Sequence, residues 1–229
     1  MIRKSNIDPR GKSLQVLRRA NLAARVRALA SLFLLNLFSR FIGSQFEFKE
    51  VRVEVPKGCF PPIFLSTGLA YDVAVHFVRG KLGCEIGVGT GALALALCKK
   101  LDVEIVGTDI DFKCIHAASR NAYRNRLDHL FHPVVCPEAK CLRKDVFDFV
   151  VSNPPYFPLN PRGTYGESAC GGLGLEVLEE MLRDAVRILR SNGILIFSTS
   201  SLTGELRGTI VVAERWALLD KVRIHLYFK

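Results

Sequence analysis

Two short segments hold the residues with the clearest chemical potential. The first, residues 85–91, reads Glu-Ile-Gly-Val-Gly-Thr-Gly, and the second, residues 153–156, reads Asn-Pro-Pro-Tyr. Glycines let the backbone turn sharply and come close to a ligand. Prolines stiffen the second segment, so the amide oxygen of Asn153 and the carbonyl of Pro154 form a rigid pair of hydrogen-bond acceptors. The chain therefore combines a ligand-binding loop with a rigid acceptor loop.

The acceptor loop suits a planar NH₂ group. An amide or an adenine amine is a poor nucleophile because its lone pair is delocalised. Two acceptors that hold its hydrogens favour a pyramidal nitrogen and return electron density to the lone pair, most strongly in the transition state. Tyr156 offers a flat face on which a planar substrate can stack. We therefore interpret Asn153, Pro154, Pro155 and Tyr156 as the catalytic residues.

The glycine-rich loop lies between a predicted strand and a predicted helix, whose first N–H groups are unpaired. Asp109 follows Gly91 by eighteen residues, at the expected end of the next strand, where an acid accepts hydrogen bonds from ribose hydroxyls. Glu85 is placed to receive a cationic amine. However, Gly87, Gly89 and Ala92 also satisfy the G-x-G-x-x-A fingerprint, so a nicotinamide dehydrogenase remains an alternative at this point.

The elements that must position these loops alternate from residue 63 onward. Continuous apolar runs separated by helical periodicity predict a mostly parallel sheet covered by helices on both faces. The predicted strands are 84–87, 103–108, 132–136, 147–152, 194–199 and 223–228, and the predicted helices are 67–79, 92–100, 112–125, 175–189 and 205–218. In this order both loops follow parallel strands and fall at one edge of the sheet.

Charge and periodicity divide the chain into three segments. A basic helical arm covers residues 1–43, a short strand pair and linker cover 44–62, and the catalytic domain covers 63–229. Residues 1–40 contain nine Lys or Arg against one acid, a net charge of +8 within a total of +10. Apolar residues recur in the arm at helical spacing, namely Leu14, Leu17, Leu22, Val26 and Leu29. This asymmetry favours a polyanionic partner, with RNA or DNA ahead of a membrane surface.

No membrane partner is expected, because the apolar run at residues 28–39 is shorter than the roughly 20 residues of a spanning helix. No metal site is expected either, since the five histidines and seven cysteines lack ligand spacing. A disulfide framework is improbable in a chain of this size, and most cysteines should be buried thiols in a reducing cytoplasm.

The two loops together carry a resemblance to a known family. The pattern E-x-G-x-G-x-G followed by Asn-Pro-Pro-Tyr resembles the amino-methyltransferase branch of the class I S-adenosylmethionine-dependent methyltransferases, over about residues 60–199. The HemK-type glutamine methyltransferases and the RNA adenine-N6 methyltransferases are similar in motif order. Residues 169–175 are also similar to the G-G-x-x-G-L stretch of HemK-type proteins.

The resemblance implies an α/β, Rossmann-like, doubly wound fold and S-adenosyl-L-methionine as cofactor. It further implies that Asn153 to Tyr156 hold the target nitrogen. The residues it implies for cofactor binding are Glu85, Gly87, Gly89, Gly91, Asp109 and Asn153. The acid that contacts the cofactor adenine is unassigned, with Glu138 the available candidate, and the closing antiparallel hairpin is expected to be shortened because the chain stops at Lys229.

Four functions follow from these features. The first is methylation of adenine N6 in RNA (rRNA or tRNA), which the basic arm favours. The second is HemK-type protein glutamine N5-methylation, with the same loop chemistry. The third is a nucleic-acid-binding module without activity, and the fourth a NAD-dependent oxidoreductase, which leaves Asn-Pro-Pro-Tyr unexplained. Weaker candidates for the substrate entrance are Lys57, Phe60, Phe157, Arg162 and Tyr165.

Overall fold

The computed structural model describes residues 14–18, 20–38, 43–62, 65–162, 166–217 and 219–229. Tyr165 and the first 13 residues, which include four cations of the basic arm, lie outside the described residues. The strands are β1 (Gln15–Arg18), β2 (Gln45–Phe48), β3 (Val51–Glu54), β4 (Leu82–Ile86), β5 (Glu104–Asp109), β6 (Phe131–Val135), β7 (Phe147–Ser152), β8 (Leu189–Ser200), β9 (Glu205–Arg207), β10 (Ile210–Trp216) and β11 (Lys221–Phe228). The helices are α1 (Leu22–Phe38), α2 (Leu65–Phe77), α3 (Ala92–Leu101), α4 (Phe112–Arg124), α5 (Gly166–Ala169) and α6 (Glu176–Ile188).

A seven-stranded sheet in the order β10-β11-β8-β7-β4-β5-β6 forms the centre of the fold. The strands from β4 to β8 pair in parallel, whereas β11 runs antiparallel to β8 and β10. Every residue of β7 is buried, as expected for a strand covered on both faces. Along β8, Leu195 and Phe197 enter one hydrophobic cluster while Ile194 and Ile196 enter the other. The predicted doubly wound, mostly parallel sheet is confirmed.

The topology brings the two loops together. Strand β4 pairs with β5 on one side and with β7 on the other. The glycine-rich loop follows β4, Asp109 ends β5, and Asn153 follows β7 directly. Because parallel strands end at the same edge of a sheet, all three features lie at one rim.

The predicted helix 205–218 is wrong. This segment forms β9 and β10, separated by Gly208, whose φ of +84° suits a turn between strands. The run Ile210-Val211-Val212 favours strand over helix because branched side chains lose rotamer freedom in a helix. The expected shortening of the closing hairpin is also wrong, since β10 and β11 pair from Ile210↔Leu226 to Trp216↔Lys221.

The N-terminal segment is helical only in part. Residues 22–38 form α1, but Gln15–Arg18 forms β1, which pairs antiparallel with β9. Leu14 and Leu17 therefore do not belong to a helix in spite of their helical spacing, because this segment pairs with the exposed edge of β9 as a strand. The predicted short strand pair is confirmed as β2 and β3. The proposed boundaries 1–43, 44–62 and 63–229 remain predictions.

Helix α1 packs on the core by Ala28 and Leu32. Ala28 and Leu32 are buried against the loop that follows β7, whereas the apolar residues Leu22, Val26, Leu29 and Phe33 face outward. The apolar residues whose spacing predicted this helix therefore lie on its exposed face, and the face that carries Ala28 and Leu32 packs against the core. None of the described helices is long and apolar enough to cross a membrane.

One pair of cysteines departs from the expected free thiols. Cys59 and Cys114 are joined by a disulfide, which links the segment after β3 to the first turn of α4. The other five cysteines are free, and four of them are buried. The single disulfide is not a framework and agrees with the expectation that most cysteines are buried thiols; the sequence did not indicate this pair, because cysteines 55 residues apart carry no spacing signal of contact.

Candidate active site

A cavity of about 530 Å³ opens at the rim where β4, β5 and β7 end. It is lined by the glycine-rich loop, by Asp109 and by the first three residues of the Asn-Pro-Pro-Tyr segment. Its volume falls within the roughly 300–1,000 Å³ of small-molecule sites. The structure therefore brings the predicted cofactor residues and the predicted catalytic loop into one site.

The glycine-rich loop is held against β5 by its backbone. The N–H groups of Gly87 and Val88 both donate to the Thr108 carbonyl, at 2.8 and 2.9 Å. Gly87 and Gly89 have positive φ values, and a Cβ added at either would meet nothing within 4 Å. The backbone thus presents an open cradle where a ligand can approach closely. Gly91 also has positive φ but faces inward, where a Cβ would lie 3.3 Å from Phe131.

Glu85 is a buried acid with an unused oxygen. Only 3% of the residue is exposed, and its Oε2 atom has no hydrogen-bond partner. Burial raises the pKa of Glu85 well above its ordinary value, although an N–H from Ala94 at the start of α3 opposes the rise. A buried carboxylate is costly unless it is paired, so this position suits a cationic group of a ligand.

Asp109 is tied to the glycine-rich loop. Its two carboxylate oxygens accept hydrogen bonds from the N–H groups of Gly89, at 2.8 Å, and Asp111, at 2.9 Å. Burial raises the pKa of Asp109, and these two hydrogen bonds lower it. Each oxygen keeps a further lone pair, so the carboxylate can still accept a ribose hydroxyl.

These residues fit S-adenosylmethionine. The open glycine cradle and the unpaired oxygen of Glu85 match a ligand that combines a nucleoside with an ammonium group. Asp109 lies in the wall of the same cavity, as does Glu138. The sequence left the adenine-contacting acid open, and the structure places Glu138 in this cavity, where it also pairs with Lys140 at 2.9 Å.

Asn153 is held by three hydroxyl groups. Its amide nitrogen donates to the Ser66 hydroxyl at 3.1 Å and to the Thr67 hydroxyl at 3.3 Å, while the Ser198 hydroxyl donates to its amide oxygen. These bonds fix the plane of the amide in advance of any substrate. The sequence alone did not indicate these three hydroxyl residues, since Ser and Thr carry no distinctive local pattern.

A second, smaller cavity of about 170 Å³ lies beside the predicted catalytic loop. Asn153 and Pro154 line both cavities, and so does Phe60. Tyr156 lines the smaller one and packs edge-to-face on Phe157, with ring centroids 5.5 Å apart. Burial, followed by the nearby charge of Asp220, raises the pKa of Tyr156 above its ordinary value. The catalytic loop therefore forms a partition between two chambers.

The segment similar to G-G-x-x-G-L supports this partition. Phe157 exchanges backbone hydrogen bonds with this segment, donating to Ala169 and accepting from Gly171, both at 2.9 Å. A Cβ on Gly171 would lie 2.6 Å from the Pro155 carbonyl oxygen. Only glycine therefore allows the two loops to pack this closely.

The weaker sequence candidates fall into separate places. Phe60 and Arg162 line the larger cavity, whereas Phe157 is buried beneath α1 and the backbone of Lys57 accepts a hydrogen bond from Lys113. Within the described ranges, one group could hold a metal ion, formed by Cys59, Asp111 and Cys114 with ligand atoms within 4.8 Å of one another. Its two sulfurs are bonded to each other, and the expected absence of a metal stays a prediction.

Comparison with known proteins gives the family. A model of the methyltransferase small domain matches residues 70–205, more than half of the chain. The chain belongs to this family. It is a class I S-adenosylmethionine-dependent methyltransferase of the Asn-Pro-Pro-Tyr branch, as the motifs predicted. The dehydrogenase and the inactive binding module are thereby set aside.

Several similar proteins carry the name of a glutamine methyltransferase. A Methanocaldococcus jannaschii protein with the provisional name protein N5-glutamine methyltransferase is 33% identical over 56% of this chain and 66% of its own length. The release factor glutamine methyltransferase of Xylella fastidiosa is 34% identical over 49% of this chain and 44% of its own length. The release factor glutamine methyltransferase of Haemophilus influenzae is 28% identical over 80% of this chain and 70% of its own length. The chain thus spans about half to two thirds of most of these relatives.

Solved structures show the same fold. The Thermus thermophilus 16S rRNA N2 G1207 methyltransferase, solved with AdoMet and guanosine, superposes with a TM-score of 0.63 at 18% identity. The match covers 81% of this chain and 49% of the other. At this identity the likeness establishes the fold, which agrees with the Rossmann-like methyltransferase architecture.

Proposed function

We propose that this methyltransferase transfers a methyl group to the side-chain amide nitrogen of a glutamine in a protein, and that it acts in the cytoplasm. The observation that carries the proposal is the shared wall between the two cavities. Asn153 and Pro154 line both the larger cavity, which fits the cofactor, and the smaller, mostly apolar one. A nitrogen held by their oxygens lies between a donor chamber and an acceptor chamber.

The chain's own residues supply alignment and electrostatics. S-adenosylmethionine contributes an activated methyl group on a sulfonium. The amide oxygen of Asn153 and the carbonyl of Pro154 accept the two hydrogens of the target nitrogen and return electron density to its lone pair. Tyr156 provides an aromatic surface beside the target group. The Ser66, Thr67 and Ser198 hydroxyls keep the Asn153 amide in place.

Two observations favour glutamine over the adenine that the basic arm suggested. The relatives named above are glutamine methyltransferases. In addition, Arg25 and Arg27, the arm cations whose side chains are described, donate to the backbone carbonyls of Leu173 and Leu219. These arginines fasten α1 to the core, so they contribute less to a surface for phosphates than their charge implied.

Adenine N6 in RNA is the second candidate. The net charge of +8 in residues 1–40 supports it, and four of those cations lie in residues 1–13. If they bind phosphates, replacing Arg3, Lys4, Arg10 and Lys12 with alanine lowers the salt dependence of RNA binding by about 3 in log–log slope. An unchanged slope would remove the support for RNA.

The decisive experiment compares acceptors. Purified protein is incubated with methyl-labelled S-adenosylmethionine and either a peptide chain release factor or ribosomal RNA. We expect label in the release factor and N5-methylglutamine by mass spectrometry. Asn153→Ala should abolish transfer while keeping most of the cofactor affinity, whereas Asn192→Gly, at an exposed position of positive φ in β8, should behave like the unaltered protein. Label in N6-methyladenosine alone would select the RNA candidate instead.

A further inference from the structure

The smaller cavity has one wall that the family motifs do not contribute. Ser31, Leu34, Leu35 and Phe38 of helix α1 line it together with residues of the Asn-Pro-Pro-Tyr loop. The helix is seated there by Ala28 and Leu32, which pack on the loop after β7, and by the contact of Arg27 with Leu219. Helix α1 is therefore part of the acceptor chamber, although its sequence suggested a nucleic-acid-binding arm.

Ser31 stands out among the polar groups of this chamber. Its hydroxyl oxygen is shut off from solvent and has no hydrogen-bond partner. A serine in a helix commonly donates to the carbonyl one turn earlier, and here it does not. By contrast, Asn153 is paired with Ser66, and Asp220 accepts from the Ser200 hydroxyl. A buried hydroxyl without a partner is costly, so a ligand group that reached the Ser31 hydroxyl would remove that cost.

A primary amide on an aliphatic stem matches this chamber. Its nitrogen needs two acceptors, which the catalytic loop presents. Its carbonyl oxygen needs a donor, and its methylene groups need an apolar wall, which Leu34 and Leu35 provide. Adenine has no carbonyl oxygen, and it offers three ring nitrogens that each need a donor when buried.

We infer that the Ser31 hydroxyl recognises the substrate by donating a hydrogen bond to the carbonyl oxygen of the glutamine side-chain amide. This inference rests on the proposed function and adds a specificity-determining residue to it. Ser31 lines the chamber from α1, more than 120 residues before the Asn-Pro-Pro-Tyr segment. The acceptor site is thus assembled from segments that lie far apart in the chain.

The test measures binding rather than turnover. N-acetylglutamine methylamide is titrated by NMR into the protein saturated with S-adenosylhomocysteine, and the norleucine analogue, which lacks the amide, serves as the comparison ligand. We expect saturable binding of the glutamine compound and at least tenfold weaker binding of the norleucine compound. Ser31→Ala should weaken glutamine binding about tenfold, the loss of one neutral hydrogen bond. Ser31→Thr, which keeps the hydroxyl, should restore most of it.

The matched control lies on the other face of the same helix. Phe33 is 68% exposed, so Phe33→Ala should leave binding of both ligands unchanged. Affinity for S-adenosylhomocysteine should be the same in all variants. Equal binding of the glutamine compound to Ser31→Ala and the unaltered protein, or tighter binding of adenosine than of the glutamine compound, would overturn the inference. A protein that binds the glutamine compound through Ser31 but labels no release factor refutes the proposed function alone.

Discussion

The amide nitrogen of Asn153 lies 3.1 Å from the hydroxyl oxygen of Ser66, and this bond joins the loop after β7 to helix α2. The second hydrogen of the same nitrogen is directed to Thr67 at 3.3 Å, while Ser198 of β8 donates to the amide oxygen. Three hydroxyl groups from two elements, α2 and β8, therefore hold one side chain. Such a group needs little reorganisation in the transition state, which is how electrostatic catalysis gains its effect.

The first prediction concerns these hydroxyl groups as positioning residues. Thr67→Val removes one acceptor at nearly constant volume, so the Asn153 amide becomes less well oriented. We expect kcat to fall about tenfold, the equivalent of one hydrogen bond, with the affinity for S-adenosylmethionine unchanged. Thr67→Ser, which keeps the hydroxyl, should restore kcat. A loss that appears equally in cofactor affinity would show that Thr67 supports the fold of the site rather than the orientation of Asn153.

The second prediction follows from the raised pKa of Glu85. In the free protein burial favours the protonated acid, whereas a bound ammonium group favours the carboxylate. Cofactor binding should therefore release a proton, and affinity should weaken as pH falls through the pKa of the free protein. Calorimetry in buffers of different ionisation enthalpy measures the proton release. Glu85→Gln should remove it and flatten the pH dependence; proton release that persists in this variant would place its origin elsewhere.

The third prediction concerns His225, which is buried and stacked on Phe197 with ring centroids 5.0 Å apart. Its ring nitrogens contact the hydroxyls of Thr199 and Thr209, and burial, with a smaller effect of Arg223, lowers its pKa from 6.5 to about 3. Between these values the unfolded chain binds a proton that the folded protein does not. Stability should therefore be lost as pH falls below 6.5, at up to about 1.4 kcal/mol per pH unit.

Urea unfolding at a series of pH values checks this. Buried acids with raised pKa values, such as Glu85 and Asp109, act in the opposite direction, so the comparison is between variants and not with a single curve. His225→Gln should reduce the loss of stability on acidification, whereas His132→Gln, a half-exposed control, should not. An identical acid dependence in both variants would contradict the assignment.

The fourth prediction concerns the Cys59–Cys114 disulfide. It closes a loop of 55 residues, for which the chain-entropy model gives a stabilisation of about 4 kcal/mol. Reduction or Cys59→Ser should lower the melting temperature and, because both cysteines line the cofactor cavity, weaken cofactor binding. Cys141→Ser, at an exposed free thiol, should change neither.

A cytoplasmic location would favour the reduced form of the pair. Alkylation of freshly isolated protein followed by mass spectrometry determines whether the two thiols are free. If the oxidised and reduced forms melt at the same temperature, the disulfide does not contribute to stability.

The sequence determined the chemistry of the two loops. Glycines at 87 and 89 and prolines at 154 and 155 restrict the backbone locally, so their effect was readable without a fold. The alternation of apolar runs with helical patterns likewise predicted the parallel sheet, and with it the placement of both loops at one rim. The cofactor and the enzyme class followed from these local features.

Only the tertiary structure decided the partners of those loops. Ser66 and Ser198 reach Asn153 from elements that lie far apart in the chain, and Ser31 lines the acceptor chamber from a helix that charge had suggested for RNA. Strands β9 and β10 pair with β1 and β11 although the local pattern of residues 205–218 indicated a helix. Pairing and burial between distant segments outweigh local propensity, because their free energies come from contacts that do not exist until the chain has folded.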